Sequence, residues 1–122
     1  MMNKLFVLLA MLFLHIVDDY YLQGILASMK QRSWWEKNSP EEKFKYDYFM
    51  VLFMHASSWT FMVMLPVAIY LKANLTIMYF VWWVANCAIH FFVDNLKKIN
   101  LIQDQLIHMC QLVLTWIVFV MF

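Results

Sequence analysis

Four long apolar stretches dominate the chain, and each carries a sparse set of polar residues that recur at helical spacing. The stretches cover about 4–29, 47–71, 75–97 and 102–122. A hydrocarbon layer of about 30 Å takes roughly 20 mostly apolar residues per α-helix, so each stretch is long enough to cross once. A membrane β-barrel would instead show alternating segments of about 10 residues. Backbone groups in lipid are satisfied only within helices or a closed barrel. The pattern therefore predicts an all-α, polytopic membrane protein. It forms one transmembrane domain over 1–122, an antiparallel four-helix bundle running up-down-up-down, with a cytoplasmic connection over 30–46.

Composition reinforces this. Of 122 residues, 65% are hydrophobic and 14% charged, with one glycine and two prolines, which is too apolar for an ordinary soluble domain. A signal peptide is the rival reading of the first stretch, with "MMNK" as the charged start and "LAS" as the cleavage site. The intervening "HIVDDYYLQGI" is too long and too acidic for a cleavage region. The connection after the first helix holds Lys30, Arg32, Lys37, Lys43 and Lys45, and the third connection holds Lys97 and Lys98, against Lys4 and Lys72 on the opposite face. Basic residues in short loops favour the cytoplasm, so a multi-pass protein of the inner (cytoplasmic) membrane is expected, with both termini outside. Ser39-Pro40 reads as a helix start, and Trp34 and Trp35 as headgroup-level rings. A net charge of +1 gives no footprint for nucleic acid. Cys87 and Cys110 form no CxxC pair and read as packing residues. A homodimer suits a chain of this size, although no seam is legible.

The polar residues inside the helices carry the chemistry. At 100° per residue, His15, Asp19, Gln23 and Lys30 share a stripe about 80° wide on the first helix, with Asp18 beside it. Tyr48, His55 and Trp59 align on the second. Asn86, His90, Asp94 and Lys97 share a stripe of about 80° on the third, and Asp104, His108, Gln111 and Thr115 one of about 60° on the fourth. Each helix thus owns one histidine, and three of them have an aspartate four residues away. At 1.5 Å per residue, Asp19, His55, His90 and His108 all lie roughly 10–16 Å from the inner helix ends. Convergence at one level from both chain directions is not what scattered polar residues would give.

Three spaced motifs support a resemblance. "HIVDDYYLQ" fits H-x3-D-[aromatic]-x2-Q, "HFFVDNLK" fits H-x3-D-x2-K, and "DQLIH" fits D-Q-x2-H, with a lone histidine between the first two. Over nearly the whole chain this resembles the bacterial and phage membrane proteins grouped as domain of unknown function 3307. A more distant similarity is to small membrane-bound metal-dependent hydrolases. The resemblance implies a class rather than a mechanism, and its phage members suggest a host membrane protein as a partner.

Imidazole nitrogens and carboxylate oxygens are ligands for zinc, manganese and iron, and an i, i+4 pair presents two donors to one point. His15, Asp19, His55, His90, Asp94, Asp104 and His108 are therefore candidate metal ligands. Zinc is the first choice, with manganese or iron as alternatives. The donors exceed what one tetrahedral ion takes, so either two ions are held or some aspartates orient the histidine rings. Asp19 and Asp94 are the candidate catalytic carboxylates, and Gln23, Lys30 and Lys97 the candidate substrate-binding residues. Asp18 stands between a solvated or capping carboxylate and a ligand.

An ionisable group at mid-membrane costs roughly 2.5–3.5 kcal/mol, whereas a polar contact between helices returns about 0.6–2 kcal/mol. Seven such groups for packing alone would be a poor arrangement. The expected function is a metal-dependent hydrolase acting on an amphiphilic, lipid-like phosphoester at the cytoplasmic leaflet. The alternative is a metal-ion or proton binding or transport module. The nearly charge-free outer halves, such as "TFMVML" and "TWIVFVMF", weigh against a continuous pore.

Overall fold

The structure is a computed structural model that describes residues 2–96 and 98–122. Among the described residues the secondary structure is entirely helical. The first helix, α1 (Lys4–Ile16), starts at Asn3, whose side chain accepts the Leu5 amide at 2.8 Å. It continues as a π-helical segment, Val17–Leu22. The chain then breaks at Gln23–Ile25, where the sole glycine, Gly24, adopts φ +53°. Glycine takes this left-handed conformation without the Cβ clash other residues meet. The short α2 (Leu26–Met29) and α3 (Arg32–Asn38) follow. The unbroken helix expected to residue 29 is thus corrected to one that ends at the glycine.

The expected helix start at Ser39-Pro40 is also displaced. Ser39 closes α3 by donating its amide to the Trp35 carbonyl at 2.8 Å. The proline after it keeps Ser39 out of the helical region, at φ −147° and ψ 70°. A single 3-10 turn, Glu42–Phe44, precedes α4 (Asp47–Tyr70). Pro66 lies inside α4 without ending it. The last two helices are α5 (Ile77–Asp94) and α6 (Leu101–Trp116), the latter extended by a π-helical segment, Ile117–Met121. Asn100 and Gln103 form a reciprocal capping box at the start of α6, each side chain accepting the other's amide at 2.9 and 3.1 Å.

Among the described residues, four helical stretches are long and apolar enough to cross a membrane: Lys4–Leu22, Glu42–Tyr70, Ile77–Asp94 and Leu101–Met121. α4 packs along both α1 and α5, and α6 lies against α1 and α5. Their outward faces expose large apolar side chains, among them Phe6, Phe13, Phe53, Phe61, Phe92 and Leu106. The shared interior has two parts. One is apolar and built from Val7, Met11, Val63, Met64, Val67, Leu112 and Val120. The other is polar, and it holds all four histidines at 0–1% exposure.

Candidate metal centre

Each histidine comes from a different helix, and neighbouring residues fix what each ring nitrogen can do. On α1, His15 Nδ1 accepts the Trp59 indole N–H at 2.7 Å. An indole nitrogen only donates, so the His15 proton sits on Nε2. Nε2 donates to Gln105 Oε1 at 2.9 Å. The Gln105 amide nitrogen in turn donates to Asp104 Oδ2 at 2.9 Å and Asp19 Oδ2 at 3.4 Å. His15 therefore acts through Gln105 on two carboxylates and leaves their Oδ1 atoms facing the other histidines.

Those Oδ1 atoms meet the remaining rings. His55 Nε2 lies 3.3 Å from Asp19 Oδ1, 3.2 Å from Asp94 Oδ2 and 3.1 Å from His90 Nε2. His90 Nε2 lies 3.6 Å from Asp94 Oδ2 and 3.8 Å from Asp19 Oδ1. Donors held 2.0–2.2 Å from a tetrahedral ion stand roughly 3.3–3.6 Å apart, and these spacings, from 3.1 to 3.8 Å, lie close to that range. Asp19 Oδ1 is buried with no hydrogen-bond partner, as expected of an oxygen meant for an ion rather than a donor. Two donor groups, Asp19/His55/His90 and His90/Asp94/His108, each have their ligand atoms within 4.8 Å of one another.

The α6 histidine is oriented from the opposite side. Gln111 commits its amide nitrogen to the Asn86 carbonyl and Oδ1 at 3.1 and 3.2 Å. Its Oε1 must therefore accept, and it does so from His108 Nδ1 at 3.0 Å. The other ring nitrogen, His108 Nε2, is buried and without a hydrogen-bond partner. It faces Asp94 Oδ1 at 3.4 Å and Asp104 Oδ1 at 3.5 Å. Two carboxylate oxygens this close to one ring nitrogen call for positive charge between them, a proton on Nε2 or a bound cation, because at low dielectric the charges are poorly screened.

Further residues complete the surroundings. Asp18 is buried, accepts Ser58 Oγ at 2.6 Å and points Oδ2 at His55 Nδ1 over 3.7 Å. At that distance the two atoms face each other without a hydrogen bond, and Asp18 Oδ2 is buried without a partner. Lys30 Nζ donates to Asp94 Oδ2 at 2.7 Å. Trp59 stacks on His90 with ring centroids 4.2 Å apart. Beyond His108, the polar contacts run through Gln111, Asn86 and Thr115 to Trp82. They stop against apolar residues including Met64, Tyr79 and Val120.

His55, His90, His108, Asp19 and Asp94 thus meet in one pocket, and Asp104 adjoins it. His15 was expected among the ligands but lies behind them, since both its ring nitrogens are engaged by Trp59 and Gln105. Lys30 was expected on the same stripe as His15 and Asp19, as a substrate-binding residue. The break at Gly24 turns the chain and brings its ammonium onto Asp94 instead. Gln23 was expected near substrate, yet it donates to the Asp19 backbone carbonyl at 2.9 Å within its own helical turn. Lys97 lies outside the described residues. Gln105 and Ser58 were missed as functional residues. Gln105 had a signal, the second position of "DQLIH", whereas Ser58 had none. Cys87 makes a polar contact with Ser57 over 3.7 Å and Cys110 is exposed, and neither belongs to the histidine–aspartate groups.

Comparison with family models, with curated proteins and with solved structures finds no match for this chain.

Proposed function

We propose that the chain is an integral inner-membrane metalloprotein, an antiparallel four-helix bundle that hydrolyses the phosphoester of an amphiphilic, lipid-like substrate at the cytoplasmic leaflet. Two contacts support the antiparallel arrangement of the first and last spans: Trp116 meets the Lys4 carbonyl, and Gln105 meets His15. The observation that carries the metal reading is the buried His108 Nε2, without a hydrogen-bond partner and facing one carboxylate oxygen each of Asp94 and Asp104. A divalent ion, zinc first, supplies a Lewis acid and brings the pKa of water towards 7. Asp19 and Asp94 are the candidates to accept the water's proton, because a base must lie within hydrogen-bond reach of it. Lys30, 15% exposed beside Asp94, meets the anionic head group. The resemblance to the family of unassigned function belongs to this proposal and adds no substrate to it.

One observation favours a second reading. His55, His90 and His108 form a chain of ring contacts at 3.1 and 3.2 Å, a spacing that suits proton transfer. The apolar residues above Trp82 argue against its extension across the membrane. The test is to purify the protein without a histidine tag and measure bound metal in wild type and a His55→Ala/His90→Ala variant. Metal in the first and not in the second is expected, and equally negligible metal in both ends the metalloprotein reading. Lipid mass spectrometry of cells expressing wild type or Asp94→Ala then separates hydrolase from binder, with unchanged lipids favouring the binder.

A further inference from the structure

The two oxygens of Asp94 point to different donor sets. Oδ2 faces His55 Nε2 at 3.2 Å and His90 Nε2 at 3.6 Å, with Asp19 Oδ1 within 3.3 Å of the former. Oδ1 faces His108 Nε2 at 3.4 Å, and that nitrogen also faces Asp104 Oδ1 at 3.5 Å. From this geometry we infer that the pocket holds two divalent cations joined by the Asp94 carboxylate. Asp19, His55 and His90 hold one ion, and His108 and Asp104 the other. The inference rests on the metalloprotein reading above and deepens it.

Three observations bear it. Each set contains a buried atom with no hydrogen-bond partner, Asp19 Oδ1 in one and His108 Nε2 in the other, so neither set is saturated by the other. Gln105 ties the Oδ2 atoms of Asp19 and Asp104 to one amide and so holds one carboxylate of each set in fixed relation. Charge supplies the third. Asp18, Asp19, Asp94 and Asp104 bring four negative charges and Lys30 one positive, a formal −4 + 1 = −3 with neutral histidines. One dication leaves −1, which repels an anionic phosphoester, whereas two leave +1, which attracts it. Paired ions about 3.5–4 Å apart are also the arrangement that clamps both the attacking and the leaving oxygen of a phosphoryl centre.

The test uses manganese as the probe. Tag-free protein in nanodiscs is stripped, loaded with Mn2+, desalted, and assayed for metal content and electron paramagnetic resonance. Wild type is expected to retain about two ions per chain with a spin-coupled spectrum. Asp104→Asn and, independently, His108→Gln are expected to retain about one, with the six-line signal of an isolated ion. One uncoupled ion in wild type overturns the paired centre and leaves a single-ion metalloprotein standing. No retained ion overturns both readings. Two coupled ions in either folded variant overturn the assignment of His108 and Asp104. If both variants fail to fold, the wild-type stoichiometry and coupling alone decide.

Discussion

At the scale of single residues, the pocket is organised by side chains that hold the candidate ligands without being ligands themselves. Gln105 is the clearest of them, because it receives the His15 proton and passes two hydrogen bonds to Asp104 and Asp19. Gln105→Leu is expected to weaken metal affinity about 10–100-fold while leaving the number of sites unchanged, as is typical when a group orienting a ligand is lost. A competition titration against a fluorescent chelator measures this, and unaltered affinity would remove Gln105 from the positioning role. Affinity should also fall as the pH is lowered, since the imidazoles must be neutral and the carboxylates ionised to ligate. The His-Asp pairs were legible because four residues is one helical turn. The role of His15 was not, because it depends on a tryptophan from another helix and on which glutamine atom faces it. The pairing of Lys30 with Asp94 was not legible for a different reason: a straight helix does not show where the chain goes after Gly24.

At the scale of elements, the π-helical segment and the glycine break determine what α1 delivers. An α-helix sends adjacent side chains 100° apart, which placed Asp18 beside the polar stripe. The wider π turn lets Asp18 and Asp19 both face inward, one towards Ser58 and the other towards His55. Such segments occur often at functional sites, and hydropathy does not reveal them. Gly24 has open space where a Cβ would stand, with no atom within 4 Å. Gly24→Ala therefore meets only backbone strain, and it should lower stability by roughly 1–2 kcal/mol. At the start of α6, Asn100→Ala removes half of the capping box and should cost about 1 kcal/mol. Thermal unfolding in detergent reads both, and a loss well above 3 kcal/mol in the Gly24 variant would mean that this turn does more than reverse the chain.

At the scale of the whole molecule, the polar half of the interior lies towards the connections rich in lysine and arginine, and the apolar half towards the other end. Four candidate spans were readable from length and composition; the second keeps its expected bounds, and the largest shift is at the end of the first, where Gly24 intervenes. How the helices pair was not readable, since it depends on contacts such as Trp59 with His15. The proposed topology predicts that Ser39→Cys, in a background with Cys87 and Cys110 changed to alanine, reacts with an impermeant maleimide only once the inner face is accessible. Labelling in intact cells would reverse the orientation. Metal at 100-fold excess over Kd should stabilise the fold by about 2.7 kcal/mol, and a chelator should take that stabilisation away. An unchanged unfolding midpoint would show that ion binding and folding are uncoupled.

The stacking of Trp59 on His90 has an optical consequence. With its indole 4.2 Å from one ring and 5.3 Å from that of His108, this tryptophan is a built-in reporter whose emission a paramagnetic ion in the pocket would quench. The difference between native protein and Trp59→Phe isolates its fluorescence from the other indoles. The arrival of an ion can thus be followed in real time, with no dye attached.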